Sequence, residues 1–393
     1  MTQNEPWHAP AGLGQPPIPP YGSPSPGAGP AAGIRSGWTP PPRPGLIPLR
    51  PLDVGTILAA PYQLLRRNPR PTFGMSLLLQ GGVLLLTLVV VSVAAFFSLS
   101  RIDFAVDSEV SDEIVAGSIG MILLSALVPL ALSLVATAIM QGIIVLEVAR
   151  QSLGEKLRFR QLWALARGRM LALVGYSLAL TVVLLVAVAV VIAVVAGVSF
   201  LGSAGVIAGV ALALLLGAGL VVLGAWVGTK LAFVPSILML ERLPLREAIG
   251  RSWRLSTGAF WKILGILLLV AVILNVVSSI AGAPLQFVSA LLPALVAPTG
   301  DETVIIGLVV AVTVVSLVLT IVVSAVILVV QSATTALLYL DQRIRKEGLD
   351  LELARYVEAR QSGGAARMAD PYAARTAAPP SVAARQPDAS PWA

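Results

Sequence analysis

The sequence predicts an all-α integral membrane protein: about six transmembrane helices in three pseudo-repeated hairpins, with basic amphipathic interfacial helices at one membrane face. Three observations lead there. Apolar residues fill 56% of the 393 positions and charged residues 12%, at a mean hydropathy of +0.87, whereas a soluble domain carries about 25% charge. The apolar residues gather into six blocks, each at least the roughly 20 residues that a hydrocarbon core of about 30 Å demands of a helix. The charges are crowded into short stretches between the blocks.

Residues 1–48 contain dense Pro and Gly, as in Pro16-Pro17-Ile18-Pro19-Pro20 and Pro40-Pro41-Pro42. Such a composition buries no core and predicts a disordered tail, either a plain flexible one or a ligand for a Pro-recognising protein partner. Residues 49–358 form the six-helix membrane domain, and 359–393, rich in Ala, Arg and Pro, form a second disordered tail. Nothing near Met1 has the pattern of a signal peptide, so the first span is expected to serve as the insertion signal.

The blocks run Thr72–Ser98, Ile114–Leu146, Met170–Phe200, Ser203–Leu240, Phe260–Ala281 and Thr303–Leu340. Only Gly202-Ser203 separates the third from the fourth, which predicts a tight hairpin. The second, fourth and sixth exceed 30 residues. Their ends are expected to project beyond the bilayer, tilt, or kink at residues such as Pro235. The stretch Ala283–Ala297 is too apolar for a solvated loop and too short to span, which predicts an interfacial or re-entrant helix.

Orientation follows from charge. Residues 150–169 carry Arg150, Lys156, Arg158, Arg160, Arg167 and Arg169, and residues 242–262 carry Arg242, Arg246, Arg251, Arg254 and Lys262. The first loop on the opposite side has Arg101 against Asp103, Asp107, Glu109, Asp112 and Glu113, a stretch that matches no EF-hand spacing and reads as a solvated loop. The positive-inside rule therefore places both termini in the cytoplasm. The excess of 27 Lys and Arg over 20 Asp and Glu serves topology and anionic lipid head groups rather than nucleic acid, because the basic residues flank apolar spans.

A threefold unit recurs: a short basic amphipathic segment, a span, an outer turn, a second span and an acid. Leu245, Ala248, Ile249, Ser252 and Trp253 oppose Arg246, Gly250, Arg251 and Arg254 in the third segment. Phe159, Leu162, Trp163 and Ala166 oppose Arg160 and Arg167 in the second, and Val54, Ile57, Leu58 and Leu65 oppose Asp53, Gln63 and Arg67 in the first, with Pro61 interrupting. The acids closing the even spans are Glu147, Glu241 and Asp341. Such segments lie at a membrane interface with arginines among phosphates, and Trp163, Trp253 and Trp261 suit an aromatic belt. Either they are anchors and topology signals, or they converge on a phosphate-bearing lipid or ligand. In the second case the contacts are Arg158, Arg160, Arg167, Arg169, Arg246, Arg251, Arg254 and Lys262.

Gly205, Gly209, Ala213 and Gly217 recur every fourth residue in the fourth span, with Gly224 and Gly228 further on. Small residues at this spacing let helices approach closely, within the chain or between two copies. Polar residues inside the spans are Gln80, Gln141, Lys230, Asn275 and Gln331. Lys230 is expected to snorkel to the inner interface, and Asn275 and Gln331 to bond across helices. No Asp, Glu or Arg sits mid-span, which counts against a proton-coupled transporter.

The chain has no cysteine, and its one histidine is His8. There are thus no disulfides and no thiolate metal sites. No phosphate-binding loop, dinucleotide fingerprint, HExxH or GxSxG occurs. No enzyme activity and no cofactor are expected.

Three separated motifs suggest a family. They are Pro48-Leu49-Arg50-Pro51-Leu52-Asp53-Val54-Gly55 through Arg66-Arg67-Asn68-Pro69, then Ala248-Ile249-Gly250-Arg251-Ser252-Trp253-Arg254-Leu255 with Phe260-Trp261, and the ending Tyr339-Leu340-Asp341-Gln342-Arg343-Ile344-Arg345-Lys346-Glu347-Gly348-Leu349-Asp350. Over roughly residues 46–358 the chain resembles the glycerophosphoryl diester phosphodiesterase membrane-domain family of high-GC Gram-positive bacteria. That resemblance implies a multi-pass protein of the bacterial plasma membrane. It does not carry the phosphodiesterase activity, which belongs to a separate domain using paired histidines and metal-binding carboxylates. The expected function is a non-catalytic membrane protein that organises envelope partners or binds anionic lipid. The alternative is a transporter or channel for a lipid-like or small amphipathic molecule.

Overall fold

The chain is described by a computed structural model that covers residues 46, 51–105, 117–118, 120–121, 125, 127–296, 302–361 and 370–373. Helix α1 (Val54–Arg67) starts where Asp53 caps it by accepting from the Thr56 N–H at 3.2 Å and from the Thr56 hydroxyl. It runs through Pro61 without a break, because the ring is turned into the core. One π-helical turn, Arg70–Gly74, leads into α2 (Met75–Ala105). Then come α3 (Leu127–Ser152), α4 (Phe159–Ser199), α5 (Ser203–Leu231), α6 (Val234–Leu240), α7 (Leu245–Ser256), α8 (Phe260–Val296), α9 (Glu302–Glu347) and α10 (Leu349–Gln361). Among the described residues six segments are long and apolar enough to cross a membrane: Arg70–Ser98, Leu127–Ser152, Phe159–Ser199, Ser203–Leu240, Phe260–Leu291 and Ile306–Glu347. The protein is an all-α multi-pass membrane protein.

Two local features differ from the sequence reading. The second amphipathic segment is no separate helix but the first three turns of α4 (Phe159–Ser199), whose 41 residues extend about 62 Å at 1.5 Å per residue. No proline stands between Phe159 and Tyr176 to break it, and a helix tolerates its two glycines, Gly168 and Gly175. The first and third segments do stand apart, ended by Asn68-Pro69 and by Thr257-Gly258, with Gly258 at φ +82°. The stretch from Ala283 to Val296 is no separate helix but continues α8 through Pro284 and Pro293; Ala297 falls outside the described residues, as does most of the acidic loop, from 106 to 116.

The expected hairpin at Gly202-Ser203 is present, with Gly202 at φ +89°, and the fourth span breaks at Ala232-Phe233, just before Pro235 in the first turn of α6. The core is concentrated at the end of the bundle where α1, α7 and the basic loops lie. Ile57, Leu64, Ile143, Ile144, Leu162, Leu173, Phe233, Ile237, Leu337 and Tyr339 are fully buried there. This region is called the basic end below. The tails were expected to begin at 48 and 359. Near those bounds, Leu46 is buried and donates its N–H to the Gln151 carbonyl at 2.8 Å, α10 extends to Gln361, and Asp370–Ala373 fold back so that Tyr372 is buried between α3 and α9.

Candidate functional site

The three acids that close the even spans are all buried at the basic end. Asp341, near the end of α9, accepts from the backbone N–H of Leu52 at 2.9 Å, from Lys262 Nζ at 2.7 Å and from Arg345 Nε at 2.8 Å. Arg345 also donates to the Leu52 carbonyl at 2.8 Å, so both backbone groups of Leu52 are clasped by one turn of α9. Glu241 pairs with Arg251 of α7 and accepts from the Tyr339 hydroxyl at 2.6 Å. Glu147 accepts from the side-chain amides of Asn68 at 2.7 Å and Gln151 at 2.6 Å.

The stretch Tyr339–Glu347 of α9 is the hub of this network. Arg343 donates to the Tyr339 hydroxyl at 3.2 Å, to Glu347 at 3.0 Å and to the Tyr372 carbonyl at 3.1 Å. Lys346 caps the C-terminal end of α7 by donating to the carbonyls of Leu255 at 2.9 Å and Thr257 at 2.6 Å, relieving acceptors that the helix leaves unpaired. The three stretches that carried the family resemblance thus meet in one place: Leu52-Asp53, α7 and Tyr339–Glu347.

Burial works against the charge of Arg251, but the hydrogen bond and charge of Glu241 and the charge of Glu347 outweigh it and hold the guanidinium above its ordinary pKa. The Tyr372 phenol is pushed well up by burial, which its hydrogen bond with Ser152 only partly offsets.

This geometry divides the eight predicted lipid contacts. Arg251 pairs with Glu241 and Glu347, Lys262 with Asp341, and Arg169 donates to the Arg242 carbonyl. Those side chains hold the fold together. Arg158, Arg160, Arg167, Arg246 and Arg254 are exposed, and among the described residues none of them makes a side-chain ion pair. Beside them stand Trp163 stacked on Phe159 at 6.1 Å, Trp253 edge-on to Trp226 at 5.3 Å, and Trp261, which is 80% exposed. Lys230 Nζ lies 5.3 Å from the Trp253 ring centre and 5.7 Å from that of Phe260, held by aromatic faces at this same end.

An open cavity of about 850 Å³ lies between α7 and the end of α9, lined by Arg251, Arg254 and Arg343 and equally by Glu241, Glu247 and Glu347. Its formal charges cancel, and two of its arginines are already paired, so it is a poorer anion site than the exposed arginines around it.

Of the glycine stripe, Gly205 and Gly209 lie against α4. A Cβ at Gly205 would come within 2.4 Å of the Val198 carbonyl oxygen, and one at Gly209 within 2.5 Å of Ser199 Oγ. Ala213 is half-buried, and Gly217 faces open space with nothing within 4 Å of an added Cβ. Asn275 is exposed, and neither it nor Gln331 makes a side-chain hydrogen bond among the described residues, so the expected cross-helix bonds do not form there. Among the described residues no three His, Cys, Asp or Glu side chains gather as a metal site.

No protein-family model, curated protein or solved structure matches this chain.

Proposed function

We propose that this protein is a non-catalytic, multi-pass protein of the bacterial plasma membrane that binds anionic lipid at its basic end. As such it would be a member of the membrane-domain family it resembles, organising envelope partners around that lipid. The observation that carries the reading is the split among its arginines. Five of them, Arg158, Arg160, Arg167, Arg246 and Arg254, are exposed beside an aromatic belt and left unpaired by the described residues, although carboxylates at the same end hold their neighbours. Each such base near an anionic surface contributes about 1 kcal/mol of attraction. Their density at one end also supports the orientation with both termini in the cytoplasm.

The test is native mass spectrometry of protein released gently from membranes containing phosphatidylglycerol. Replacing the five exposed arginines with glutamine is expected to strip retained anionic lipid while leaving the fold intact. Unchanged retention would sink the lipid-binding reading. A residue at Ser108 labelled from the cytoplasm of intact cells would overturn the orientation. The reading as a transporter or channel is favoured by a separate observation, two cavities among the spans, taken up next.

A further inference from the structure

Two cavities of about 310 and 300 Å³ lie among the spans, on the hydrocarbon side of the basic end. The first is lined from α3, α8 and α9, the second from α3, α4, α5, α6 and α9, and they share Thr137, Gln141 and Thr335. Three pairs of polar residues four apart, hence on one helix face each, line them: Thr137 and Gln141 on α3, Ser177 and Thr181 on α4, Gln331 and Thr335 on α9, with Tyr176, Ser332 and Thr334 beside them. No Asp, Glu, Lys or Arg lines either cavity.

Depth follows from helix rise. Gln141 precedes the buried Glu147 by six residues and Gln331 precedes Asp341 by ten, so the amides lie about 9 and 15 Å along their helices from the acid layer. A half-bilayer of hydrocarbon is about 15 Å thick, which puts both amides inside it. There, lipid tails offer neither donors nor acceptors, and an unpaired polar group is costly. Yet among the described residues neither the Gln141 nor the Gln331 amide makes a hydrogen bond, and Gln331 is exposed.

We infer that these cavities form a binding site for the uncharged, hydroxyl- or amide-bearing head of an amphipathic molecule, whose apolar tail stays among the lipids. The amides supply two donors and an acceptor each, and the hydroxyls of Thr137, Ser177 and Thr181 serve as either, whereas Thr335 already donates to the Gln331 carbonyl at 2.9 Å and is left to accept. A charged head is disfavoured because, among the described residues, no charged side chain lines either cavity. This site is distinct in place and chemistry from the basic end and stands or falls without it.

The full chain in phosphatidylcholine nanodiscs is photolabelled with a diacylglycerol carrying a photoactivatable acyl chain, and in parallel with the same probe capped at its hydroxyl as an ether. The expected result is labelling on peptides of α3 and α9 that contain Gln141 and Gln331, competed by plain diacylglycerol. Both capping of the probe and the double change Gln141→Leu, Gln331→Leu should lower it about tenfold, the weight of one or two lost hydrogen bonds. Equal labelling by the capped probe in the wild-type protein would reduce the site to a groove for acyl chains. Absence of labelling above that of the other spans would leave the cavities to water, and equal competition by phosphatidylglycerol would make the head anionic. Each of these three outcomes overturns the proposal.

Discussion

The two ends of the bundle are built on opposite terms. At the basic end Ile143, Ile144, Phe233, Ile237, Leu338 and Tyr339 are sealed from contact with solvent or lipid. Toward the other end, Phe96 is 69% exposed, Val183 66%, Ile207 75% and Leu214 72%, though they are no less apolar. The difference teaches what holds helices together in a membrane. Lipid tails satisfy an apolar side chain as well as another helix does, so apolarity alone does not draw spans together. Polar groups have no such alternative, and the buried acids Glu147, Glu241 and Asp341 with their partners sit where tight packing is found.

If this is right, the largest effect belongs to Asp341→Ala. It strips the partner from Lys262, Arg345 and the Leu52 N–H together, and breaking a buried pair by removing one member costs about 3–5 kcal/mol. Reversible unfolding in mixed micelles should register it, whereas Val315→Ala at the exposed end, where Val315 is 53% exposed, should change stability by about 0.5 kcal/mol or less. Comparable losses from the two would dissolve the contrast.

A smaller effect tests the close approach of α4 and α5 at the exposed end. Gly205→Val forces α5 off the Val198 carbonyl, an overpacking worth about 1–3 kcal/mol. Gly217→Ala, with open space around it, is expected to be neutral. Cross-linking of a cysteine pair introduced across the α4–α5 hairpin would report the displacement.

Tyr372→Phe removes the hydroxyl that donates to the Ala149 carbonyl at 2.8 Å, costing about 1 kcal/mol. Amide exchange should rise at Asp370–Ala373 while α3 stays protected. If α3 loosens equally, the returning segment is part of the core rather than a strap upon it.

The smallest effect concerns Asp53, whose carboxyl is held below its ordinary pKa by hydrogen bonds from the Thr56 side chain and backbone. A carboxyl depressed in the folded state adds stability above its unfolded pKa, near 3.9, and loses it as pH falls through the folded value. Asp53→Ala should therefore flatten the acid limb of the melting-temperature profile below about pH 4 and leave the neutral range parallel to wild type.

Much of this was legible in residue order. The spans appear as uninterrupted apolar runs, and the acids closing the even spans were visible because each ends such a run. Partners were not visible. Nothing near Asp341 in sequence says that the Leu52 backbone, 289 positions away, donates to it. Arg251 and Arg254 look alike on one short helix, yet Glu241 occupies the first and no carboxylate among the described residues occupies the second. The pairs Thr137 with Gln141, Ser177 with Thr181 and Gln331 with Thr335 did carry a signal, a spacing of four. It goes unnoticed when amides are counted and hydroxyls are not.

Sequence by itself determined the six spans, because each span is a local matter. Twenty or so apolar residues in hydrocarbon must pair their backbone groups internally, and a helix does so without help from distant residues. The tertiary structure alone decided which charges are spent on the fold and which face outward, and that three short polar pairs from separate spans line adjoining cavities. Those are relations between helix faces, and lipid, being indifferent to apolar faces, leaves them to a few polar contacts between residues far apart in the chain.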